Sequence, residues 1–330
     1  MSFLFGHWRV RWDLEFGIWV LILMLLCAAP LEAGERYAIV ISGVSGGDKY
    51  AAQQQERRSE LTAFLATGFA FTDANVVVLD EASDGSTRAT ADNVRRLFAD
   101  LRRRLTRDDT LLLILLGHGT YDGAEAKFNL VGPDLNADEW RRMLDAVPGR
   151  IVLVDTTESS FPFLEKMSRA GRIVITATDS PAQRFATVFP EYFIEALADQ
   201  SSDSDKNGRI SVWEAFTAAS AGVRRHYEQR GQLTTERSLL DDNGDGIGRE
   251  AGTPGEDGNV ASAVYLDPDP DVGGGDAALV ALEGRRQALG FQLVELKTRR
   301  ASMSDEQYQA ELEKILIELA TITQEIRRRS

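Results

Sequence analysis

An acidic twelve-residue segment, DSDKNGRISVWE, is the clearest arrangement in this sequence that could hold a ligand. Oxygen-bearing groups fall at its positions one, three, five, seven, nine and twelve, from Asp203, Asp205, Asn207, Arg209 (backbone carbonyl), Ser211 and Glu214. Calcium takes six to eight hard oxygen ligands at this spacing, with Ser211 acting directly or through water. Helical patterns at 191–199 and 212–229 flank the segment. The spacing therefore predicts an EF-hand helix–loop–helix that binds Ca²⁺, with a structural role for the ion.

A second acidic turn, DDNGDGIGRE, repeats the start of this pattern. Asp241, Asn243 and Asp245 occupy positions one, three and five, but position twelve is Gly252, which has no carboxylate. Asn, Asp and Gly are also the residues that tight turns favour. Two interpretations follow from the residues: a degenerate second calcium site, or a turn without an ion.

One histidine stands between two glycines at the end of an apolar run, and a polar segment follows the next apolar run. The histidine is His118, and the polar segment is DTTESS at 155–160. If the two runs are neighbouring parallel strands, both ends emerge at the carboxyl edge of the sheet, where open α/β folds place their sites. There His118 could serve a nucleophile on the next strand's loop. The alternative is a histidine with a structural role.

The elements that must position these residues follow from hydrophobic periodicity. Short runs rich in Val, Ile and Leu predict strands at 36–43, 75–80, 110–119, 150–156 and 172–178. Amphipathic segments between them predict helices at 51–67, 90–105 and 136–147, with Thr90 and Asn136 as N-caps. Strand–helix alternation of this kind predicts an α/β fold, in which a mostly parallel sheet has helices on both faces.

The overall charge excludes one class of partner. The formal net charge is -14 at pH 7, whereas nucleic-acid binding needs a basic face that neutralises phosphates. The excess of carboxylates favours solubility and cation binding.

The N-terminus has the order of a signal peptide, which is predicted to be residues 1–33. Arg9 and Arg11 precede an apolar run at 17–29, and Ala33 offers a small residue for cleavage. The protein is therefore expected to be secreted or periplasmic without a stable membrane span, or membrane-anchored if the signal is not cleaved. Cys27 is the sole cysteine and leaves with the signal, which excludes disulfides, thiolate zinc sites and a cysteine nucleophile in the mature chain.

The last eighty residues change character. Residues 251–275 are rich in Gly, Pro and Asp and predict a linker, within which ASAVYLD fits an edge strand. Residues 276–330 contain leucines and isoleucines three and four apart, and Ser304 with Gln307 forms a capping-box sequence. This pattern predicts an antiparallel helical hairpin or coiled coil, which either closes on this chain or mediates self-association or binding of a partner helix.

The blocks TLLLILLGHG and RIVLVDT resemble the caspase and legumain type of cysteine peptidase (clan CD), which is marked by a strand ending in His-Gly and a second ending in Asp-Ala-Cys or Glu-Ala-Cys. The resemblance covers 36–197 and includes STRATADNVRRLF and RIVITATDS. It implies a caspase-like domain at 34–200, followed by the acidic loops at 201–250 and the tail, as in bacterial legumain-like proteins. His118 matches the family's catalytic histidine, and Thr157 matches its cysteine.

Threonine at the nucleophile position changes the expected chemistry. A hydroxyl is far less acidic than a thiol, so it needs a base in direct hydrogen-bond contact. The sequence therefore predicts a non-catalytic peptidase homologue that binds calcium and a peptide or protein ligand. One alternative is a hydrolase that uses Thr157 or Ser159 as nucleophile and His118 as base. Another is an assembly protein that acts through its helical tail.

Overall fold

Strands form where continuous apolar runs can be buried on both faces. The computed structural model describes residues 34–183, 185–268 and 303–329, together with scattered positions between 278 and 300. The chain divides into two units, Met1–Gly34 and Glu35–Ser330, and every element below lies in the second. The predicted signal peptide at 1–33 lies outside the described residues.

The elements follow the predicted alternation closely. The strands are β1 (Arg36–Ser42), β2 (Val76–Leu79), β3 (Thr110–Leu116), β4 (Gly119–Tyr121), β5 (Ala126–Phe128), β6 (Leu135–Asn136), β7 (Arg150–Asp155), β8 (Arg172–Thr176) and β9 (Leu239–Asp241). The helices are α1 (Asp48–Thr67), α2 (Ala91–Arg104), α3 (Ala137–Ala146), α4 (Phe161–Met167), α5 (Phe189–Ala198), α6 (Val212–Gln229) and α7 (Asp305–Arg329).

The main sheet has the strand order β2-β1-β3-β7-β8-β9. The first five strands run parallel, and β9 pairs with β8 in the antiparallel direction. Strands β4, β5 and β6 form a smaller antiparallel sheet. The predicted α/β fold with a mostly parallel sheet is therefore confirmed.

Helices cover both faces of the sheet, as predicted. On β1, Ala38 and Val40 pack in the cluster that contains buried side chains of α1, α5 and α6. The alternate residues Ile39 and Ile41 pack in the cluster that contains side chains of α2, α3 and α4. A strand with apolar residues on both faces can be stable only in this layered arrangement.

The predicted helix caps form the expected hydrogen bonds. The Thr90 hydroxyl accepts the backbone N–H of Asn93 at 3.3 Å at the start of α2. At the start of α3, the Asn136 side chain accepts the N–H of Glu139 at 3.0 Å, and Glu139 accepts the N–H of Asn136 at 3.1 Å. This reciprocal capping box fixes the first turn of α3.

The segment that fits an edge strand in the sequence has a different structure. Ala261–Ala263 is a turn of 3₁₀ helix, and Tyr265 makes one isolated bridge to Ser211. The Asp242 carboxylate accepts the N–H groups of Gly258 and Ala261, at 3.1 and 2.7 Å, and these bonds hold the segment in a turn. The edge of the sheet is formed instead by β9.

The C-terminal residues form the predicted helical hairpin within the part of this region that the structure describes. The described positions between 278 and 297 are helical, and Leu289 and Leu296 are buried in a cluster with Ile315 and Ile322 of α7. Arg285 pairs with Glu318 at 2.6 Å, and Arg300 pairs with Asp305, so the two segments are antiparallel. Among the described residues, no helix combines the length and apolar character that crossing a bilayer requires.

Candidate functional site

The carboxyl edge of the main sheet brings the histidine and the polar segment together, as the sequence predicted. Strands β3 and β7 are parallel neighbours, with Leu115 opposite Asp155. The chain leaves β3 through Gly117, whose φ of 140° favours glycine because side chains disfavour positive φ. His118 follows, and Gly119 begins β4.

Glu158 holds His118 by a short polar contact. Nδ1 of His118 lies 3.1 Å from Oε1 of Glu158, and the two side chains are 18% and 14% exposed. The N–H of Gly119 donates to Oε2 of the same carboxylate at 3.4 Å, and the Tyr50 ring packs edge-on against the imidazole with centroids 5.1 Å apart. The hydrogen bond that His118 donates to Glu158 raises the pKa of His118 above its ordinary value, although burial opposes this effect. His118 therefore keeps its proton to a higher pH than a free histidine.

Thr157 lies in the interior and not at the surface of the edge. Its side chain is 1% exposed, and its hydroxyl has no hydrogen-bond partner among the described residues, so no hydrogen bond joins it to His118. A Cβ added to Gly119 would lie 2.8 Å from the Thr157 hydroxyl oxygen and 3.0 Å from Cβ of Ser159. Glycine at position 119 thus allows the β3 loop to approach the β7 loop closely. This packing requirement explains why a glycine follows His118, and it needs no catalytic role for the histidine.

Asp155, at the end of β7, is fully buried below this loop. Its Oδ1 accepts the N–H of Thr157 at 3.0 Å, while its Oδ2 has no hydrogen-bond partner among the described residues. Burial raises the pKa of Asp155 to about 7, and the nearby N–H and hydroxyl of Thr157 act in the opposite direction. The carboxyl group supports the loop through its backbone contact.

A cavity of about 370 Å³ opens beside His118, between α1, the β7 loop and α6. Its lining includes Tyr50, Arg57, His118, Phe185, His226 and Arg230. The acid on its wall is Glu191, which lies 3.5 Å from Arg57. Burial lowers the pKa of His226, with the Arg230 charge acting in the same direction. With two arginines and one glutamate, the cavity suits a ligand that carries a carboxylate.

The acidic loop lies between α5 and α6, as predicted, with a 3₁₀ turn at Gln200–Ser202 after α5. Ligand oxygens of Asp203, Asp205 and Glu214 lie within 4.8 Å of one another. Gly208, with φ of 87°, donates its N–H to Asp203 at 2.8 Å and turns the chain around the acidic groups. These three carboxylates can hold a metal ion.

Glu214 is the anchor of this loop. Its Oε1 accepts the N–H of Ser204 at 2.8 Å, and its Oε2 accepts the N–H and hydroxyl of Ser211 at 3.0 and 2.8 Å. Burial acts to raise the pKa of Glu214, but these hydrogen bonds outweigh it, and the pKa lies below its ordinary value. Glu214 is therefore ionised at neutral pH, as a metal ligand must be.

Three other predicted loop residues have additional contacts. The Ser211 hydroxyl accepts the N–H of Glu214 at 3.2 Å and caps α6. The Arg209 guanidinium pairs with Asp267 at 2.8 Å and stacks over the Tyr265 ring at 4.2 Å. Asn207 donates from its side chain to the Tyr265 hydroxyl at 3.1 Å. The segment that contains Tyr265 thus braces the loop from outside.

Sequence reasoning missed Glu158 as the partner of His118, and it missed the basic cavity. Glu158 immediately follows Thr157, but its contact crosses forty residues of sequence. Only the prediction that β3 and β7 are neighbours could have pointed to it. The cavity draws its residues from α1, the end of β3, the β7 loop, α5 and α6, so no local pattern in the sequence marks it.

Comparison with known proteins finds similarity to solved structures. No family model matches the chain, and no curated protein matches it. A crystal structure of protein GSU0716 from Geobacter sulfurreducens is similar with a TM-score of 0.41 and 15% sequence identity, covering 63% of this chain and 92% of that one.

Proposed function

We propose that this protein is an exported, calcium-stabilised homologue of the caspase and legumain peptidases that binds peptide segments without cutting them. The observation that carries the proposal is the burial of the Thr157 hydroxyl, which has no hydrogen bond to His118. An alcohol needs a base in direct contact before it can attack an amide.

A carboxylate on Nδ1 also orients the histidine of a Ser-His-Asp triad, so the contact with Glu158 leaves Nε2 of His118 able to act as a base. The argument against catalysis is therefore the missing hydrogen bond between His118 and Thr157. Below the raised pKa of His118, its contact with Glu158 is an ion pair that ties the β3 loop to the β7 loop. This pair stabilises the wall of the cavity and leaves the cavity available for binding.

The arginines that line the cavity favour a peptide ligand that carries a carboxylate. Arg57, on α1, and Arg230, at the end of α6, both line it. A hydrogen bond between an arginine and a carboxylate contributes about 1.5–3 kcal/mol where water is partly excluded. Loss of one such contact is expected to weaken binding about tenfold or more.

Calcium at the first loop supports the stability of the fold. Three carboxylate ligands, one amide and a backbone carbonyl make an all-oxygen set of the kind that Ca²⁺ prefers. The loop joins α5 and α6, and α6 supplies His226 to the cavity wall and Arg230 just after its end. The ion would thus hold in place the helix that completes the binding site.

A peptide-binding measurement tests the proposal. Fluorescent peptides from an acidic library are titrated into the purified chain in calcium buffer, with Arg230→Ala beside it and Arg224→Ala as the control. Arg224 lies on the same helix, is 66% exposed and pairs with Glu228. We expect Arg230→Ala to weaken the tightest peptides about tenfold and Arg224→Ala to leave them unchanged. Equal affinities for both variants, or no binding at all, would rule out this cavity as the binding site.

A further inference from the structure

A second cavity opens at the amino edge of the main sheet, opposite the edge that carries His118. Its volume is about 400 Å³, and it lies among the chain segments that lead into β3, β7 and β8. These strands are parallel neighbours, with Thr110 opposite Arg150 and Ile151 opposite Arg172, so their starts meet at one edge. The topology therefore brings three loops that are distant in sequence around one space.

Most of the charged residues that line this cavity are arginines. They are Arg107, Arg169 and Arg172, and the acid beside them is Asp145, which leaves a formal excess of two positive charges. The whole chain has a formal net charge of -14, so this local excess has the opposite sign to the protein as a whole. A cavity of this kind attracts anions that the rest of an acidic surface repels.

Asp145 is shared among several arginines and cannot neutralise them all. Its Oδ1 lies 3.0 Å from Nη2 of Arg172 and 3.3 Å from Nη1 of Arg169. Its Oδ2 lies 3.6 Å from Nη1 of Arg141, on the same helix. Arg107 is exposed and forms no ion pair with any residue in the described part of the chain. One carboxylate thus meets three guanidinium groups, and a fourth lines the same cavity without an acid of its own.

Arg172 is the positive charge that the fold holds in place. Its side chain is 4% exposed, and its Nη1 donates to the carbonyl of Met167 at 2.8 Å. Its Nε is buried and has no hydrogen-bond partner among the described residues. Burial lowers the pKa of Arg172 and the charge of Arg169 acts in the same direction, although Asp145 opposes both effects. An arginine keeps its proton at neutral pH even so, and a buried charge of this kind favours a counter-ion close to it.

We infer that this cavity binds a dianionic phosphate group, with Arg107 and Arg169 in contact with it and Arg172 as the fixed charge on the wall. A planar guanidinium group can donate to two phosphate oxygens at once, and the formal charge of the cavity matches that of the dianion. The Arg169 side chain is 59% exposed, so it can turn from Asp145 to a ligand. This site is separate from the peptide cavity, because no residue lines both.

Titration calorimetry with inorganic phosphate tests this inference on the full chain, in buffer at pH 8 without added divalent cations. The wild-type chain is expected to bind phosphate, and Arg107→Gln and Arg169→Gln are each expected to bind it about tenfold more weakly. Arg103→Gln is the matched control and should bind as the wild type does, since Arg103 is 71% exposed and pairs with Asp100. A parallel titration with phenyl phosphate compares a phosphate ester with the free ion.

The outcomes separate this site from general attraction and from the peptide cavity. No binding by the wild-type chain, or equal affinity in all of these proteins, overturns the inference. Phosphate binding that Arg230→Ala removes, and that Arg107→Gln and Arg169→Gln retain, places the ion in the peptide cavity and also overturns it. Within the expected pattern, tighter binding of phenyl phosphate assigns the site to esters, and tighter binding of inorganic phosphate assigns it to the free ion. Both substituted arginines are exposed, so the variants should unfold at the wild-type temperature.

Discussion

At the scale of single residues, Glu158 determines what His118 can do. The carboxylate lies 3.1 Å from Nδ1 and raises the pKa of the imidazole. A raised folded-state pKa means that the pair stabilises the protein fully below the ordinary histidine pKa near 6.5. That stabilisation is lost as the pH rises through the higher folded value.

Replacing Glu158 by glutamine should therefore destabilise the protein in a pH-dependent way. We expect Glu158→Gln to lower the free energy of unfolding by about 1–2 kcal/mol at pH 6 and by much less at pH 9. Urea unfolding at the two pH values measures the difference. Glu60→Gln, an exposed acid on α1, provides the control and should show no such dependence. An equal decrease in the free energy of unfolding at both pH values would mean that His118 and Glu158 do not form an ion pair.

Sequence reasoning placed His118 and Thr157 at the correct edge because each follows a strong apolar run. It could not assign their environment. The burial of Thr157 depends on the close approach of Gly119, and the proton affinity of His118 depends on Glu158, forty residues away. Contacts of that range are set by packing and leave no periodic signal.

At the scale of elements, the first acidic loop joins a group of carboxylates that can hold a metal ion to the first turn of α6. Glu214 accepts hydrogen bonds from Ser204 and Ser211, so one carboxylate both closes the loop and fixes the first turn of α6. A ligand that binds only the folded state stabilises it by mass action, by about 2.7 kcal/mol at a concentration a hundredfold above Kd.

The Glu214→Gln variant is expected to lose the stabilisation that calcium binding to this loop would give the folded state. Thermal unfolding in chelator and in a series of calcium concentrations measures it, with the melting temperature as the readout. Glu228→Gln, which is exposed on the same helix, should retain the full calcium response. A Glu214→Gln protein with an unchanged response would exclude this loop as a calcium site.

Most elements were predictable because their signals are local. Continuous Val, Ile and Leu runs located five strands of the sheet, and Thr90, Asn136 and Ser304 marked helix starts that the structure confirms. The edge of the sheet was not predictable. Strand β9 has three residues, too few for a periodic pattern, while the apolar segment at 261–267 is held in a turn by Asp242.

At the scale of the whole molecule, charge and topology act together. The parallel order of β3 and β7 brings two loops to one edge, and α1 and α6 add basic residues to the cavity beside them. The acidic excess of the chain is concentrated partly in two loops that share one bracing segment: Asp257 contacts the second loop, and Tyr265 contacts the first. The fold thus separates a cavity lined by two arginines from the acidic loops.

The most direct test of this account is a search for peptide cleavage. The purified chain, Thr157→Ala and His118→Ala are incubated separately with a diverse peptide library in calcium buffer at pH 7, and mass spectrometry records new peptide termini. The account predicts no cleavage above buffer for any of the three proteins, because the Thr157 hydroxyl is buried and has no hydrogen bond to His118. Turnover by the wild-type chain that disappears in both variants would contradict it.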